Sequence, residues 1–142
     1  RKDVFMEKRQ RTLQRKSTHS ISEVYEAVKD FMDEPHRKVK IIFDGDSIKA
    51  NSQRYQTFFH KGTTCVNCGI RGQFFAKEKA ENDGSYHLNL YAVNSEGEEV
   101  LMTKDHILPK SKGGKNTLEN YQCMCTICNE QKGNQLENKE EK

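Results

Sequence analysis

The spacing of apolar residues after Ser20 predicts a first helix. Ser20 and Glu23 stand three residues apart, as in a capping box, where each side chain bonds the other's backbone N–H. We expect the helix to span 21–33 and to stop before Pro35, because proline lacks an N–H and its ring clashes with the preceding turn. One face is predicted to be buried, since apolar side chains recur at helical spacing: Ile21, Val24, Tyr25, Val28, Phe31 and Met32.

A strand and a second helix are predicted before residue 62. Residues 39–43 form a short apolar run rich in β-branched side chains, which favours a strand. A helix is expected near 51–60, with Asn51 or Ser52 as its N-cap and Gly62 at its end. Its buried face is predicted to carry Tyr55, Phe58 and Phe59.

Residues 73–104 change to the alternating pattern of an antiparallel sheet. Turn-forming residues at 82–84 and 94–97 divide this stretch into three predicted strands. The middle strand alternates apolar and polar positions, as a half-buried strand does. The third strand leads directly into Asp105 and His106, so we expect a meander that delivers two adjacent polar side chains.

Charge is distributed unevenly along the chain. The net charge is +3, but residues 1–16 alone hold seven Lys or Arg against two acidic residues. We interpret 1–20 as a basic arm and linker suited to phosphate contacts, with a solvated or disordered end as the alternative. Residues 135–142 are expected to form a polar tail. Apolar residues make up only 33% of the chain, so something besides apolar burial is expected to stabilise its thin core.

Five cysteines lie in two groups, and four of them form two Cys-x-x-Cys pairs. The pairs are Cys65 with Cys68 and Cys125 with Cys128. Two such pairs suit a tetrahedral zinc site, since each can place two thiolates on one ion from a tight turn. Disulfides or free buried thiols are the alternative, against which the odd count weighs. Cys123 falls outside the spacing and is predicted to be a small buried apolar residue.

A long ordered motif follows the third predicted strand. It runs Asp-His-Ile-x-Pro-x-Ser-x-Gly-Gly from Asp105, then Asn-Thr-Leu-x-Asn up to Asn120, then Cys-x-x-Cys-Asn-x-x-Lys from Cys125. This segment resembles the HNH endonucleases, the ββα-metal nucleases, and it is similar to free-standing members encoded by phages. With the first cysteine pair, the resemblance extends over 65–134 and points to the zinc-bearing subset, with the meander as an insertion.

The resemblance implies an α+β fold and a domain organisation. We expect a ββα-metal (HNH) core with a four-cysteine zinc site, an inserted antiparallel β meander and N-terminal helices. Residues 21–62 would form an N-terminal helical and strand region, and 63–134 the nuclease domain. The role of the first 60 residues stays open between reading DNA sequence, forming a homodimer and binding a protein partner.

The resemblance also implies a metal-dependent DNA endonuclease that leaves 5′-phosphate and 3′-hydroxyl ends. His106 is implied as the general base, and Asn120 as the residue that holds the loop and so aims this histidine. Asp105 and Asn129 are the implied ligands of a divalent ion. Many members have His where this chain has Asn129, and a carboxamide oxygen shifts the expected ion towards Mg²⁺ or Mn²⁺.

Further residues of the motif are expected to approach DNA. Contacts to its backbone are implied for four lysines: Lys110, Lys112, Lys115 and Lys132. Gly113 and Gly114 are expected to let the backbone come close, and Asn116 is interpreted as a turn residue rather than a ligand.

Two other functions compete with the nuclease. The chain could be a non-catalytic zinc-ribbon module that binds nucleic acid, which explains the cysteines but not the joint occurrence of Asp105, His106 and Asn129. It could also be an inactive HNH-like scaffold. No apolar run approaches the ~20 residues of a membrane helix and no signal peptide is recognisable. We therefore expect a cytoplasmic protein without a membrane partner, in a bacterial host cell if it is phage-encoded.

Overall fold

The computed structural model describes residues 13–82 and 84–141, with side chains as far as Gly133. The first twelve residues of the predicted basic arm lie outside the described residues. Over the described ranges the elements are, in chain order, β1 (Leu13–Ser20), α1 (Ile21–Val28), β2 (Lys40–Phe43), β3 (Asp46–Lys49), α2 (Gln53–Lys61), β4 (Gly72–Ala80), β5 (His87–Val93), β6 (Glu99–His106), β7 (Tyr121–Cys125) and α3 (Thr126–Glu141).

An antiparallel sheet of five strands, in the order β1-β4-β5-β6-β7, forms the centre of the fold. The predicted meander is confirmed as β4, β5 and β6. β2 and β3 pair separately as an antiparallel hairpin. The buried core joins one side of the sheet to α1, α2 and this hairpin through residues such as Val24, Ile48, Phe58, Phe75 and Leu90. The predicted α+β class is therefore correct.

The first helix is shorter than predicted. Ser20 caps it through a bond from the Glu23 N–H to Ser20 Oγ, at 3.1 Å, but α1 ends at Val28 and turns occupy 29–33. A bond from the Phe31 N–H to the Val28 carbonyl tightens the turn at this end. Phe31 in that turn and Tyr25 inside α1, both predicted to be buried, are 42% and 40% exposed. Val24, Val28 and Met32 are buried as predicted.

The second helix agrees with its prediction. Ser52 is the N-cap and accepts a bond from the Tyr55 N–H. Gly62 ends the helix with a φ of +115°, a value that side chains with a Cβ rarely adopt. Tyr55 and Phe58 are buried, and Phe59 is packed against the core.

The prediction of a linker before α1 is wrong. Residues 13–20 form β1, which pairs antiparallel with β4 along its length. The strand is polar and mostly exposed, so it shows no apolar alternation. It is held by main-chain hydrogen bonds at the edge of the sheet, which any side chain allows. β3, which completes the hairpin, was not predicted either.

Two charged residues of β4 are buried and tie peripheral elements to the sheet. Lys77 is fully buried, and its ammonium donates to the carbonyls of Phe43 and Asp44 at 2.9 and 2.7 Å. Glu78 accepts a bond from Arg15 of β1 at 2.8 Å and another from Tyr91 at 2.7 Å. Both charges are paired, Lys77 with Asp46 and Glu78 with Arg15, as buried charges must be, and these contacts attach the β2–β3 hairpin and the edge strand β1.

The C-terminal elements follow one another as strand, strand and helix. β6 and β7 pair antiparallel from Met102–Cys125 to His106–Tyr121, and α3 begins directly after β7. This succession is consistent with the predicted ββα core. The backbone of α3 continues to Glu141, so the expected polar tail is helical there. Among the described residues, no helix is long and apolar enough to cross a membrane.

Candidate functional site

Four cysteine thiols form a compact cluster at one end of the β6–β7 pair. Cys65, Cys68, Cys125 and Cys128 place their sulfur atoms within 4.8 Å of one another. All but Cys68 are buried. This is the donor set and the proximity that a tetrahedral metal site with thiolate ligands requires. The prediction that these four residues come together is therefore correct, and they could hold a metal ion.

A short turn presents the first cysteine pair. The Gly69 N–H donates to the Cys65 carbonyl at 3.0 Å, and Gly69 has a φ of +80°. The Val66 N–H donates to the carbonyl of Cys123 at 3.0 Å, which attaches this turn to β7. The second pair lies where β7 passes into α3. A main-chain hydrogen bond thus holds the turn with the first cysteine pair against the strand that leads to the second pair.

The surroundings of the cluster alter its thiol pKa values in opposite directions. Burial opposes ionisation of Cys65, but backbone hydrogen bonds from Cys68, Cys125 and Asn67 outweigh it and lower the pKa of Cys65 to about 6. Burial raises the pKa of Cys125 to about 12. Cys123 is 1% exposed, and burial also raises its pKa to about 12. Outside the cluster and buried, Cys123 is the small apolar residue that was predicted.

The loop between β6 and β7 is held closed by Asn120. Its side-chain oxygen accepts the Leu108 N–H at 2.8 Å, and its amide group donates to the carbonyls of Leu108 and Lys115 at 3.0 and 2.9 Å. One side chain therefore bonds both ends of the loop. The position of the residues that follow His106 depends on these bonds.

Gly114 packs inside this loop. A Cβ at Gly114 would lie 1.8 Å from the Leu108 carbonyl oxygen, which is far below any contact distance. The Gly114 N–H also donates to the Pro109 carbonyl at 2.9 Å. The close approach expected at this glycine is thus made to its own loop.

A cavity of about 290 Å³ opens between the end of β6 and the start of α3. The described residues that line it include most of the polar residues singled out in the motif: Asp105, His106, Lys110, Asn129 and Lys132. Asn120, Lys112 and Lys115 do not line it. The structure therefore brings together residues that are up to 27 positions apart, between Asp105 and Lys132.

Asp105 lines the cavity and is buried, with 7% of its surface exposed. Gln122 of β7 and Lys132 of α3 both donate to its Oδ2 atom, at 2.9 and 2.8 Å. Lys132 also donates to the His106 carbonyl. These bonds fix the carboxylate and leave Oδ1 as the oxygen that can accept a further ligand.

The hydrogen-bond and packing partners of His106 differ from those of Asp105. Its Nε2 atom lies 2.8 Å from the side-chain oxygen of Asn116, and its ring packs edge-on against Tyr121 at 5.0 Å between centroids. Because the amide oxygen can only accept, Nε2 carries the proton and Nδ1 is the basic nitrogen of the neutral ring. Asn116, predicted to be a turn residue, is thus a direct partner of His106.

Asn129 reaches the cavity from the first turn of α3. Its amide nitrogen donates to the Thr103 hydroxyl at 2.9 Å, and this hydroxyl donates to the Met124 carbonyl at 2.7 Å. The side-chain oxygen of Asn129 is therefore the atom left for another ligand. Thr103, Gln122 and Asn116 were not predicted as site residues, although Asn116 lies within the ordered motif and so carried a signal.

Comparison with known proteins places the C-terminal part of the chain in a family. Residues 94–142 match the sequence model of a family described as HNH endonuclease. The match agrees with the family that the motif of this segment predicts, and it supports a nuclease in general terms. No curated protein and no solved structure gives a significant match.

The matched residues begin in the turn before β6. They contain the whole β6–β7–α3 succession and the second cysteine pair, but not Cys65 or Cys68. The matched segment therefore begins later in the chain than the resemblance, which extends over 65–134. It does not test the zinc-bearing subset or the similarity to phage-encoded members. The N-terminal strands and helices lie outside it.

Proposed function

We propose that this chain is a metal-dependent DNA endonuclease that hydrolyses phosphodiester bonds to 5′-phosphate and 3′-hydroxyl ends. The observation that carries the proposal is the shared cavity, where Asp105, His106 and Asn129 meet inside the family segment. HNH endonucleases use divalent metals and act on DNA. A zinc-ribbon module that only binds nucleic acid does not require a carboxylate, an imidazole and a carboxamide around one cavity.

The donor atoms at the cavity suit a hard cation. Asp105 offers Oδ1, because both of its described side-chain bonds are made to Oδ2. Asn129 offers its side-chain oxygen, because its amide nitrogen is engaged by Thr103. Two oxygen ligands match Mg²⁺ or Mn²⁺ better than softer metals. When bound, such an ion supplies stabilisation of the charge that develops on the phosphate and on the leaving 3′ oxygen.

His106 acts as the general base. Asn116 holds the tautomer in which Nδ1 is free to accept a proton from water. As that proton moves to Nδ1, the water oxygen forms a bond to phosphorus and the bond from phosphorus to the 3′ oxygen breaks. The 3′ oxygen takes a proton from solvent, and the phosphate stays on the 5′ end.

Asn120 and the lysines assist without taking part in the proton transfer. Asn120 is a positioning residue, since it holds the loop that carries Asn116. Lys132 orients Asp105 and places positive charge near the phosphate. Lys110 lines the cavity and is exposed, and Lys112 and Lys115 extend the loop for contacts to the DNA backbone.

The cysteine cluster holds a structural zinc ion in this proposal. Four thiolates complete a tetrahedral shell and leave no position for water, so the ion stabilises the fold instead of acting on DNA. It joins the turn at Cys65 to the start of α3, which also carries Asn129 and Lys132. Zinc thereby supports the cavity indirectly.

The test is cleavage of supercoiled plasmid by the chain with Mg²⁺ or Mn²⁺, compared with His106→Ala. We expect the parent to produce open-circular or linear DNA and His106→Ala to be slower by about 10²–10⁴-fold, the usual contribution of a general base. His87→Ala, at an exposed histidine of β5 outside the cavity, is the matched control and should cleave like the parent. The readout is the rate of nicking on agarose gels.

Two outcomes would contradict the proposal. Absence of cleavage by the parent with either divalent ion would favour a non-catalytic nucleic-acid-binding module or an inactive scaffold. Equal cleavage by His106→Ala and the parent would remove the histidine from the mechanism. Ligation of the product by DNA ligase without prior treatment checks the predicted 5′-phosphate and 3′-hydroxyl ends.

A further inference from the structure

A second, basic cleft adjoins the cavity on the side of the N-terminal region. It is lined by the segment after α1, the end of β3, the start of α2 and the loop residues Asn116 and Thr117. Lys104 lines both the cleft and the cavity, so the two are continuous across this side chain. The family match does not include the N-terminal wall of the cleft.

The cleft is rich in positive charge. Its cationic side chains, apart from one histidine, are Arg37, Lys38, Lys49, Arg54 and Lys104. Its two carboxylates are already engaged, since Asp33 bonds His60 and Glu34 accepts the His36 N–H. Among the residues that the structure describes, no carboxylate lies within ion-pair distance of the exposed Arg37, Lys38 or Lys49 side chains. Such a surface attracts an anion.

Amide side chains hold the walls of the cleft in place. Asn51 donates to the carbonyls of Glu34 and Arg37 at 2.9 and 2.7 Å and accepts the Val39 N–H at 2.9 Å. Gln56 donates to the Met32 carbonyl at 2.6 Å. The segment that carries Arg37 is therefore shaped by three carbonyl contacts and one N–H contact before any ligand binds. A preorganised surface loses less entropy on binding.

Gln53 connects this cleft to the His106 loop. Its amide nitrogen donates to the Asn116 carbonyl at 3.2 Å, and its oxygen accepts bonds from Tyr121 at 2.9 Å and Lys104 at 3.2 Å. Asn116 in turn contacts His106. The N-terminal wall is thus in direct contact with the loop that holds the general base of the proposed function.

Lys104 and Arg54 add two further cationic groups to the wall of the cleft. The side-chain bonds described for them go to neutral partners, from Arg54 to Asn89 and the Leu88 carbonyl and from Lys104 to Gln53. The first turn of α2 begins at the same place, where helix N-termini favour negative charge.

We propose that this cleft binds the DNA backbone beside the phosphate that is cut, with Arg37, Lys38 and Lys49 as its principal contacts. The inference rests on the proposed endonuclease function for the identity of the ligand. It assigns a role to the N-terminal region, which becomes the part of the chain that grips DNA next to the cavity. The lysines of the His106 loop contact the backbone on the other side of Lys104.

The experiment measures binding of a fluorescently labelled duplex DNA by anisotropy across a series of salt concentrations. The full chain carries His106→Ala, so that the DNA stays intact. Arg37→Ala combined with Lys49→Ala removes two exposed cations of the cleft. Lys29→Ala combined with Arg71→Ala removes the same charge at exposed positions that line neither the cleft nor the cavity.

We expect the cleft variant to bind DNA at least roughly tenfold more weakly at 0.1 M salt. With fewer phosphate contacts, fewer counterions are released when the DNA binds. The slope of log K against log salt should become shallower by about 2 in the cleft variant. The matched control should change neither quantity to this extent. Melting curves of both variants should equal that of the parent, since the removed side chains are exposed.

A cleavage assay on the His106-intact chain separates this inference from the proposed function. The cleft variant should need more DNA to reach half of its maximal rate while its rate at saturating DNA stays unchanged. Parental affinity and salt slope in the cleft variant would overturn the inference while leaving cleavage intact. The inference would also be overturned if the cleft variant lost more affinity for duplex RNA than for duplex DNA. A parent that binds DNA through the cleft but never cuts would instead overturn the proposed function.

Discussion

The cysteine cluster and the Asp105–His106 cavity use the same junction between β7 and α3 for opposite purposes. Cys125 and Cys128 lie in the cluster, whereas Asn129, the residue after Cys128, lines the cavity. The cluster offers four sulfurs and is mostly buried, so an ion there would be fully coordinated. The cavity offers few oxygens and stays open. In the proposed function, ligand type and exposure, more than position in the fold, therefore separate the stabilising centre from the reactive one.

The largest effect is expected when the cluster is broken. Cys125→Ser removes one ligand, and structural zinc supplies apparent binding energy of about 10–16 kcal/mol in small domains, comparable to the stability of a whole protein. We expect loss of bound zinc, a strongly lowered melting temperature and no cleavage. Metal analysis and thermal melting measure this change.

Cys123→Ala is the matched control for the cluster. Cys123 is buried but lies outside the four-thiol group, so this variant should keep its zinc and lose about 1 kcal/mol of unfolding free energy, the size of a small buried deletion. If a strong chelator and Cys125→Ser both leave the melting curve unchanged, the cluster does not stabilise the fold through a metal.

The next largest effect is expected at the cavity, without loss of the fold. Asp105→Asn keeps the shape of the side chain but removes the charge that holds Lys132 and the proposed divalent ion. We expect cleavage slower by about 100-fold or more, since even indirect partners of metal ligands cost about 10–100-fold. Zinc content should stay at the parental level. Titration of cleavage with Mg²⁺ and Mn²⁺ measures the loss, and an unchanged metal requirement would contradict the role of Asp105.

A moderate effect is expected when the loop is forced open. Gly114→Ala places a methyl group where the Leu108 carbonyl lies, which should cost about 1–3 kcal/mol as overpacking does. The loop must shift, so cleavage should fall while the cysteine cluster keeps its metal. Gly84→Ala is the control, because a Cβ there meets nothing within 4 Å. Equal cleavage rates of the two variants would show that the loop tolerates the displacement.

The smallest effect is expected at Asn116, which positions His106 without touching DNA in the proposed mechanism. Asn116→Ala should slow cleavage by about tenfold, within the range for indirect partners. Asn116→Asp keeps an oxygen that can accept the Nε2 proton, so it should recover most of the rate that Asn116→Ala loses. Equal cleavage by Asn116→Ala and the parent would remove this contact from catalysis.

Several parts of the fold and site could be predicted because their signals are local in the chain. Ser52 and Gly62 mark the ends of α2, and turn residues divide the meander into β4, β5 and β6. β1 escaped prediction because an exposed edge strand carries polar side chains and is held by its backbone. Phe31 was wrongly expected to be buried because α1 gives way to tighter turns before it, and Tyr25, inside α1, is also partly exposed.

The amino-acid sequence alone determined the chemical types at both centres, because the spacing within Cys-x-x-Cys and the adjacency of Asp105 and His106 are covalent facts. Only the tertiary structure decided that Asn116 pairs with His106, that Thr103 orients Asn129, and that a cleft from the N-terminal region joins the cavity at Lys104. These contacts depend on how distant segments pack together. Hydrogen bonds act over about 3 Å in space, whatever the separation of their partners along the chain.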